Sequence, residues 1–257
     1  MDLGLKGKAV LVTGGSKGIG LACARAFVAE GARVMIVSRS QANLDRAAAG
    51  LASVATLAAD LTQPEGAQRM ARQAQERLGP VDVLVNSAGA ARRYAPDELD
   101  AQAWHAAMDA KYFTYIHAMD AVLPSMRARR RGNVVNIIGT GGKIATPIHL
   151  PGGAANSALM LATVGLASVY GKHGVRINAI NPAATMTERI REALELEARA
   201  RGTSAEKILE EGQARVPLGR YADPEDIAQV TLFLASAKAA YVTGAIVPMD
   251  GGANPVI

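Results

Sequence analysis

The chain has 257 residues, 49% of them hydrophobic and 20% charged, with a net charge of +5. That is enough for one large α/β domain with a sizeable core, and the proportions are those of an ordinary globular protein. The single cysteine, Cys23, excludes an internal disulfide and a cysteine-built metal site, and no metal is expected.

In chain order, "KAVLVTG" (8–14) reads as a buried strand, followed by a helix-like "IGLACARAFVAEG" (19–31) and a second strand, "RVMIVS" (33–38). "VATLAAD" (54–60) precedes the helical "PEGAQRMARQAQERLG" (64–79), and "VDVLVNSAG" (81–89) follows. Later come the strand "NVVNII" (133–138), a helix through about 154–172, the strand "VRINAI" (175–180), the helix "PEDIAQVTLFLAS" (224–236) and the strand "AIVPMD" (245–250). Short apolar strands without polar alternation imply burial on both faces. Strand–helix alternation implies parallel βαβ units, hence a doubly wound α/β domain spanning 1–257. The segment 187–217, rich in Glu, Arg and Ala, reads as a helical excursion over a pocket; a plain surface helix pair is the alternative. No apolar run approaches the roughly 20 residues of a membrane helix. A strand beginning by Lys8 leaves no room for a signal peptide, so a cytoplasmic location is expected. The basic run "RARRR" (127–131) lacks interleaved aromatics and suits a solvated helix end, so no nucleic-acid partner is expected.

"TGGSKGIG" (13–20) lies between the first strand and first helix, where glycines at 14, 18 and 20 allow a tight turn and the helix N-terminus offers N–H donors to a pyrophosphate. With its spacing Thr13-Gly14-x3-Gly18-x-Gly20, the chain resembles the short-chain dehydrogenase/reductase family over nearly its whole length. "NSAG" (86–89), "NPAATMT" (181–187), "GRYADPEDIA" and "YVTGAIVPMDGG" are similar to further family signatures. The resemblance implies a Rossmann-like fold and a nicotinamide cofactor. Its implied contacts are Thr13, Gly14, Ser16, Lys17, Gly18, Ile19 and Gly20 in the loop, Asp60 and Leu61 at the adenine, and Asn86, Ala88 and Gly89 after the fourth strand. Asn156 would lie at the ribose, with Pro182, Thr185 and Thr187 at the nicotinamide. An NAD site needs a carboxylate at the end of the second strand. Ser38 and Arg39 stand there instead, a hydroxyl and a guanidinium suited to a 2′-phosphate, with Lys17 as a second cation. NADP(H) is therefore the expected cofactor.

The family's chemistry uses an asparagine, a serine, a tyrosine and a lysine four residues after the tyrosine, which lowers the phenol's pKa. Aligned on the resemblance, those positions fall at Lys111, Gly139, Gly152 and Asn156, and no tyrosine in the chain has a lysine four residues later. Gly152 and Gly153 predict an enlarged pocket beside the nicotinamide. The Asn and Lys positions look exchanged, which would keep one cation and one amide in the site. The candidate catalytic residues are Lys111 as proton donor, Thr140 for the lost hydroxyl, His149, which titrates near neutrality, and Asn156. Tyr94, Arg92 and Arg93 follow "NSAG" on a loop bordering the substrate, where the arginines would suit an anion. The expected function is an NADP(H)-dependent oxidoreductase with an atypical site, acting on a carbonyl or alcohol. The alternatives are a non-catalytic NADP(H)-binding sensor or partner subunit, and a hydratase or lyase on the same fold. A homotetramer is implied by resemblance alone, through the family's fourth and fifth helices and C-terminal strand.

Overall fold

The computed structural model describes residues 2–89, 92–94 and 96–254. Seven strands form one parallel sheet in the order β3-β2-β1-β4-β5-β6-β7. They are β1 (Ala9–Thr13), β2 (Arg33–Ser38), β3 (Ala55–Ala58), β4 (Val83–Asn86), β5 (Gly132–Ile137), β6 (Val175–Pro182) and β7 (Ile246–Met249). The helices are α1 (Gly18–Ala29), α2 (Gln41–Ala49), α3 (Pro64–Leu78), α4 (Ala101–Ala107), α5 (Thr114–Ala128), α6 (Leu150–Gly171), α7 (Glu188–Arg201), α8 (Ala205–Gln213) and α9 (Pro224–Ala235).

Strand side chains point alternately to the two faces, and every strand of the sheet centre is apolar at both phases. In β1, Ala9 and Leu11 join the core beneath α3, α5 and α6, while Val10 and Val12 join the core beneath α1, α2 and α9. Each face is thereby sealed by helices, as the uninterrupted apolar strands require. The chain winds outward from β1 to β3 and then returns to place β4 on the other side of β1, with Thr13 in register with Asn86. That reversal opens a crevice at the carboxyl ends of β1 and β4, where ligands of open parallel sheets bind.

α2, α4 and α5 have no counterpart among the elements read from the sequence, and two further features depart from that reading. α6 begins at Leu150, earlier than expected, and with its preceding turn forms a helical stretch, Pro147–Gly171, of 25 residues with a hydropathy of 1.3. It is long and apolar enough by composition to cross a membrane, a property the sequence reading missed. Leu159 and Ala167 on its inner face are built into the α3–α5–α6 core, the placement of a core helix. Between α4 and α5 the helix widens into a π-helical segment, Met108–Phe113. Segments of this kind are rare and concentrate at functional sites.

Candidate active site

The glycine loop needs its glycines for backbone reasons. Gly14 has φ +66°, and a Cβ there would lie 2.6 Å from the Ser87 carbonyl oxygen. A Cβ at Gly20 would lie 2.3 Å from the Gly14 carbonyl oxygen, so α1 can pack on the turn only without a side chain. The α1 N-cap, Lys17, makes no side-chain cap, which leaves first-turn N–H groups open to an anion. A cleft of about 560 Å³ runs from this turn, past Arg39, to Lys111, Gly139, Thr187 and Arg189. Its uncapped helix end and Arg39, which makes no ion pair among the described residues, suit a dinucleotide phosphate group.

The predicted cofactor residues divide by environment. Gly14, Lys17, Gly18, Ile19, Arg39, Gly89, Pro182, Thr185 and Thr187 line the cleft. Thr13 and Asn86 lie beneath it, fully enclosed. The Thr13 hydroxyl donates to Asn86 at 3.3 Å, Asn86 donates to Asn136 at 3.0 Å, and Asn136 donates to Thr163 at 3.0 Å. This buried ladder ties β1, β4 and β5 to α6, and Thr13 also accepts from the Ser87 and Ala88 amides. Ser16 and Ala88 are half-buried, and Leu61 is buried. The Asp60 carboxylate accepts from the Thr62 amide and hydroxyl, which, ahead of the nearby Arg39 charge, hold it below the usual carboxylate range. The Ser38 hydroxyl is turned to Ser40. Lys17 reaches across the cleft mouth to Glu188 at 2.8 Å.

Lys111 sits in the π-helical segment and is 8% exposed. Its ammonium donates to the Tyr115 hydroxyl and to the Ile137 carbonyl oxygen, both at 2.9 Å, and lies 4.5 Å from the Tyr115 ring centre. The Tyr115 hydroxyl also donates to Ile137 O. No carboxylate pairs with Lys111 among the described residues. Burial, and secondarily the charge of Arg189, push its pKa down to about 7. Burial drives the Tyr115 phenol in the opposite direction, so it stays protonated. Tyr115 is enclosed behind Lys111 and holds it in place. The sequence carried this pair as Lys111-x3-Tyr115, one helical turn apart in the reverse order to the family's tyrosine and lysine, and a search for Tyr-x3-Lys passes over it. Arg189 also escaped the sequence reading; it lies on the first turn of α7, inside the 187–217 excursion.

The other candidates cluster on the turn after β5. Gly139 has φ +138°, and its amide donates to Asn181. Asn156 is buried behind it: a Cβ at Gly139 would lie 3.2 Å from Asn156 Nδ2. Thr140 begins the 3₁₀ turn Thr140–Gly142, and its carbonyl accepts from Lys143 and Ile144. The turn presses on α6. A Cβ at Gly153 would come 2.7 Å from Gly141 O, and one at Gly142 would meet Met160 at 2.6 Å. The missing side chain at Gly153 leaves no open space, because Gly141 O lies where it would stand. His149 caps the N-terminus of α6 without a side-chain cap bond, and its Nδ1 is enclosed without a hydrogen-bond partner among the described residues. Burial, followed by the charges of Arg93, Lys111 and Arg189, lowers its pKa. The loop carrying Arg92, Arg93 and Tyr94 is pinned beside this turn by the Tyr94 amide, which donates to Ile148 O at 3.1 Å. Arg92 stacks over the Tyr94 ring at 5.2 Å.

Known proteins share this architecture. The family model described as Enoyl-(Acyl carrier protein) reductase matches residues 14–254. Galactitol 2-dehydrogenase (L-tagatose-forming) of Cereibacter sphaeroides is 38% identical over 96% of this chain and 95% of its own. Gluconate 5-dehydrogenase of Gluconobacter oxydans is 30% identical over 96% of this chain and 95% of its own. The crystal structure of L-sorbose reductase from Gluconobacter frateurii, complexed with NADPH and L-sorbose, superposes over the full length of both chains with a TM-score of 0.95 at 28% identity. Sheet order, glycine turn, C-terminal signature and relatives agree, and the chain belongs to the short-chain dehydrogenase/reductase family.

Proposed function

We propose that this chain is an NADP(H)-dependent oxidoreductase that interconverts a carbonyl compound and an alcohol, with Lys111 in place of the family's phenol as the group that moves the proton. The observation that carries the reading is the Lys111 ammonium in the cleft floor, without a counterion among the described residues, at a pKa of about 7. Such an acid is poised between its two forms at neutral pH, where general acid–base catalysis is most effective. The α1 N-terminus, Lys17 and Arg39 would hold the phosphates, and Thr185 and Thr187 the nicotinamide end. Bound NADPH would supply the hydride. The chain's own residues do the rest. Thr140 offers a hydroxyl to the substrate oxygen, Lys111 delivers a proton to it, and Tyr115 fixes the lysine's direction. His149 is the reserve acid. The chain is read as a cytoplasmic homotetramer on the family resemblance alone.

A panel of carbonyl substrates with NADPH, run on the parent and on Lys111→Ala, Thr140→Ala and His149→Ala, tests the assignment. Loss of the proton donor should lower kcat by about 10²–10⁴-fold. The Lys111-dependent reduction rate should fall as pH rises through about 7, because the protonated form is the active one. Three variants that all match a competent parent would refute these roles. A parent that binds NADPH and turns over nothing would favour the sensor or partner-subunit reading.

A further inference from the structure

Two cations, Lys111 and Arg189, line the inner part of the cleft among glycines, apolar side chains and the acids Glu188 and Glu192. Lys111 lies in its floor and Arg189 on its wall, and neither makes an ion pair with a described residue. Arg93 extends from the loop that the Tyr94–Ile148 bond pins against the rim, beside His149. Of the acids on the cleft wall, Glu188 is engaged by Lys17 at 2.8 Å, and Glu192, one turn beyond Arg189, pairs with nothing described. Lys111 is buried while Arg189 and Arg93 are exposed, and the charge of Arg189 adds to burial in disfavouring a proton on Lys111. An anion entering the cleft removes the repulsion and supplies the missing counterion.

We infer that the substrate is a carbonyl compound bearing a carboxylate or similar anionic group, received by Arg189 and Arg93, and that its binding loads a proton onto Lys111. The inference rests on the oxidoreductase reading above and gives that site a substrate class. The groups facing Lys111 are Tyr115 from α5, Arg189 from α7 and His149 from the turn before α6. Before binding, the arginine and the surrounding apolar walls favour the neutral amine. A bound anion reverses the balance by favouring the charged form. The proton comes from solvent and resides on Nζ, so a larger share of the acid is charged when the right substrate is present. A neutral carbonyl compound would enter without charging it. Substrate choice and acid strength are thus set by the same electrostatic event.

Calorimetry tests this without turnover. Oxamate and malonate are titrated at pH 8 into the protein saturated with NADP⁺, in two buffers of different ionisation enthalpy, with ethyl oxamate and malonamide as uncharged counterparts. The expected result is binding of at least one anion with net proton uptake, and weaker or absent binding of its neutral counterpart. Arg189→Ala should weaken the anion by roughly tenfold to a hundredfold, the range for one charge-assisted contact. Lys111→Met should bind without the uptake. Equal affinity for charged and neutral probes, an unchanged affinity in Arg189→Ala, or the same uptake in Lys111→Met would each overturn the inference. The two readings separate cleanly. Proton-linked anion binding by a protein that reduces nothing retires Lys111 as the catalytic acid and keeps the anion site. Reduction of neutral ketones with a KM unaffected by Arg189→Ala does the reverse.

Discussion

A buried lysine without a carboxylate is costly, and the cost has a definite pH signature. In the folded chain Lys111 gives up its proton near 7, whereas an unfolded chain holds it to the ordinary lysine value of 10.5. Between those values the unfolded state binds more protons, so the folded state gains stability as pH rises from about 7 to 10.5. Below 7 both states are charged and the full cost remains, on the order of a few kcal/mol. Lys111→Met, which keeps much of the length and removes the charge, should therefore be more stable than the parent at pH 6. The advantage should shrink steadily toward pH 10.5, read as the difference between urea midpoints. A constant difference across that range would mean that the amine stays charged in the fold. A residue that weakens its own fold this way is a candidate for function. Arg39 carries the second residue-scale prediction. It lines the cleft beyond the glycine turn. Arg39→Asp should cost NADPH binding about 1.5–3 kcal/mol and leave NADH little changed, and equal parent affinities for the two nucleotides would remove its role. Single residues were only partly legible beforehand. Arg39 and Lys111 could be named from the chain because their types stand out when it is aligned on the resemblance. Tyr115 and Arg189 could not, since their importance lies in what surrounds Lys111, and local sequence does not contain that. For Thr13 and Asn86 the sequence offered a motif, and the structure adds a buried ladder beneath it.

At the scale of elements, the π-helical segment and the strand end opposite it are fitted to each other by a glycine. Gly89 has φ +92°, and a Cβ there would sit 2.0 Å from the backbone oxygen of Ala110, one residue before Lys111. Backbone cannot yield as a side-chain tip can, so Gly89→Ala must push the segment away or distort the loop. The expected outcome is a stability loss of about 1–3 kcal/mol from the unfavourable dihedral alone. Lys111-dependent turnover should fall further, since moving Ala110 moves Lys111. Full activity in a folded Gly89→Ala protein would show that the segment tolerates displacement. A related constraint applies at the turn after β5. With φ +138° at Gly139 and Asn156 close behind, a serine there cannot be installed without reshaping the turn. Strands and most helices were readable because their apolar periodicity is strong. α2 was not: its sequence, QANLDRAAA, has only Leu44 and Ala47 buried, and its start is fixed by the Ser40 side chain accepting from the Asn43 amide. The π-helical segment was invisible for a different reason. Widening of the helix leaves composition unchanged, so nothing in the sequence marks it.

The whole molecule leaves one long helix unfinished. α6 buries Ala155, Leu159, Thr163 and Ala167 on one stripe against the sheet. On the opposite stripe Leu161 is 77% exposed, Val164 46% and Val169 56%, with the small, exposed Gly165 and Ser168 between them. The spacing 161, 164, 165, 168, 169 is itself that of a buried helical face, and only the Ser168 hydroxyl interrupts its apolar character. A helix that is apolar on both stripes belongs in an interior, and within a single copy of this chain half of it faces outward. Such contiguous apolar surface marks an interaction site more often than a solvent face. The chain alone could suggest assembly only through family resemblance. The folded molecule adds a physical reason, because which stripe of α6 remains outside is decided by how the sheet and the turn after β5 take the other. A second copy presenting the same stripe across a twofold axis would bury both, with the small residues Gly165 and Ser168 allowing close approach. Multi-angle light scattering at micromolar concentration should therefore find the parent as an oligomer. Leu161→Glu combined with Val164→Lys should reduce its mass at least to the next smaller symmetric state. The substituted positions touch neither the cleft nor the core, so nucleotide binding per chain should persist and show that the variant is folded. A monomeric parent under those conditions would mean that α6 keeps its outer face for something other than a copy of itself.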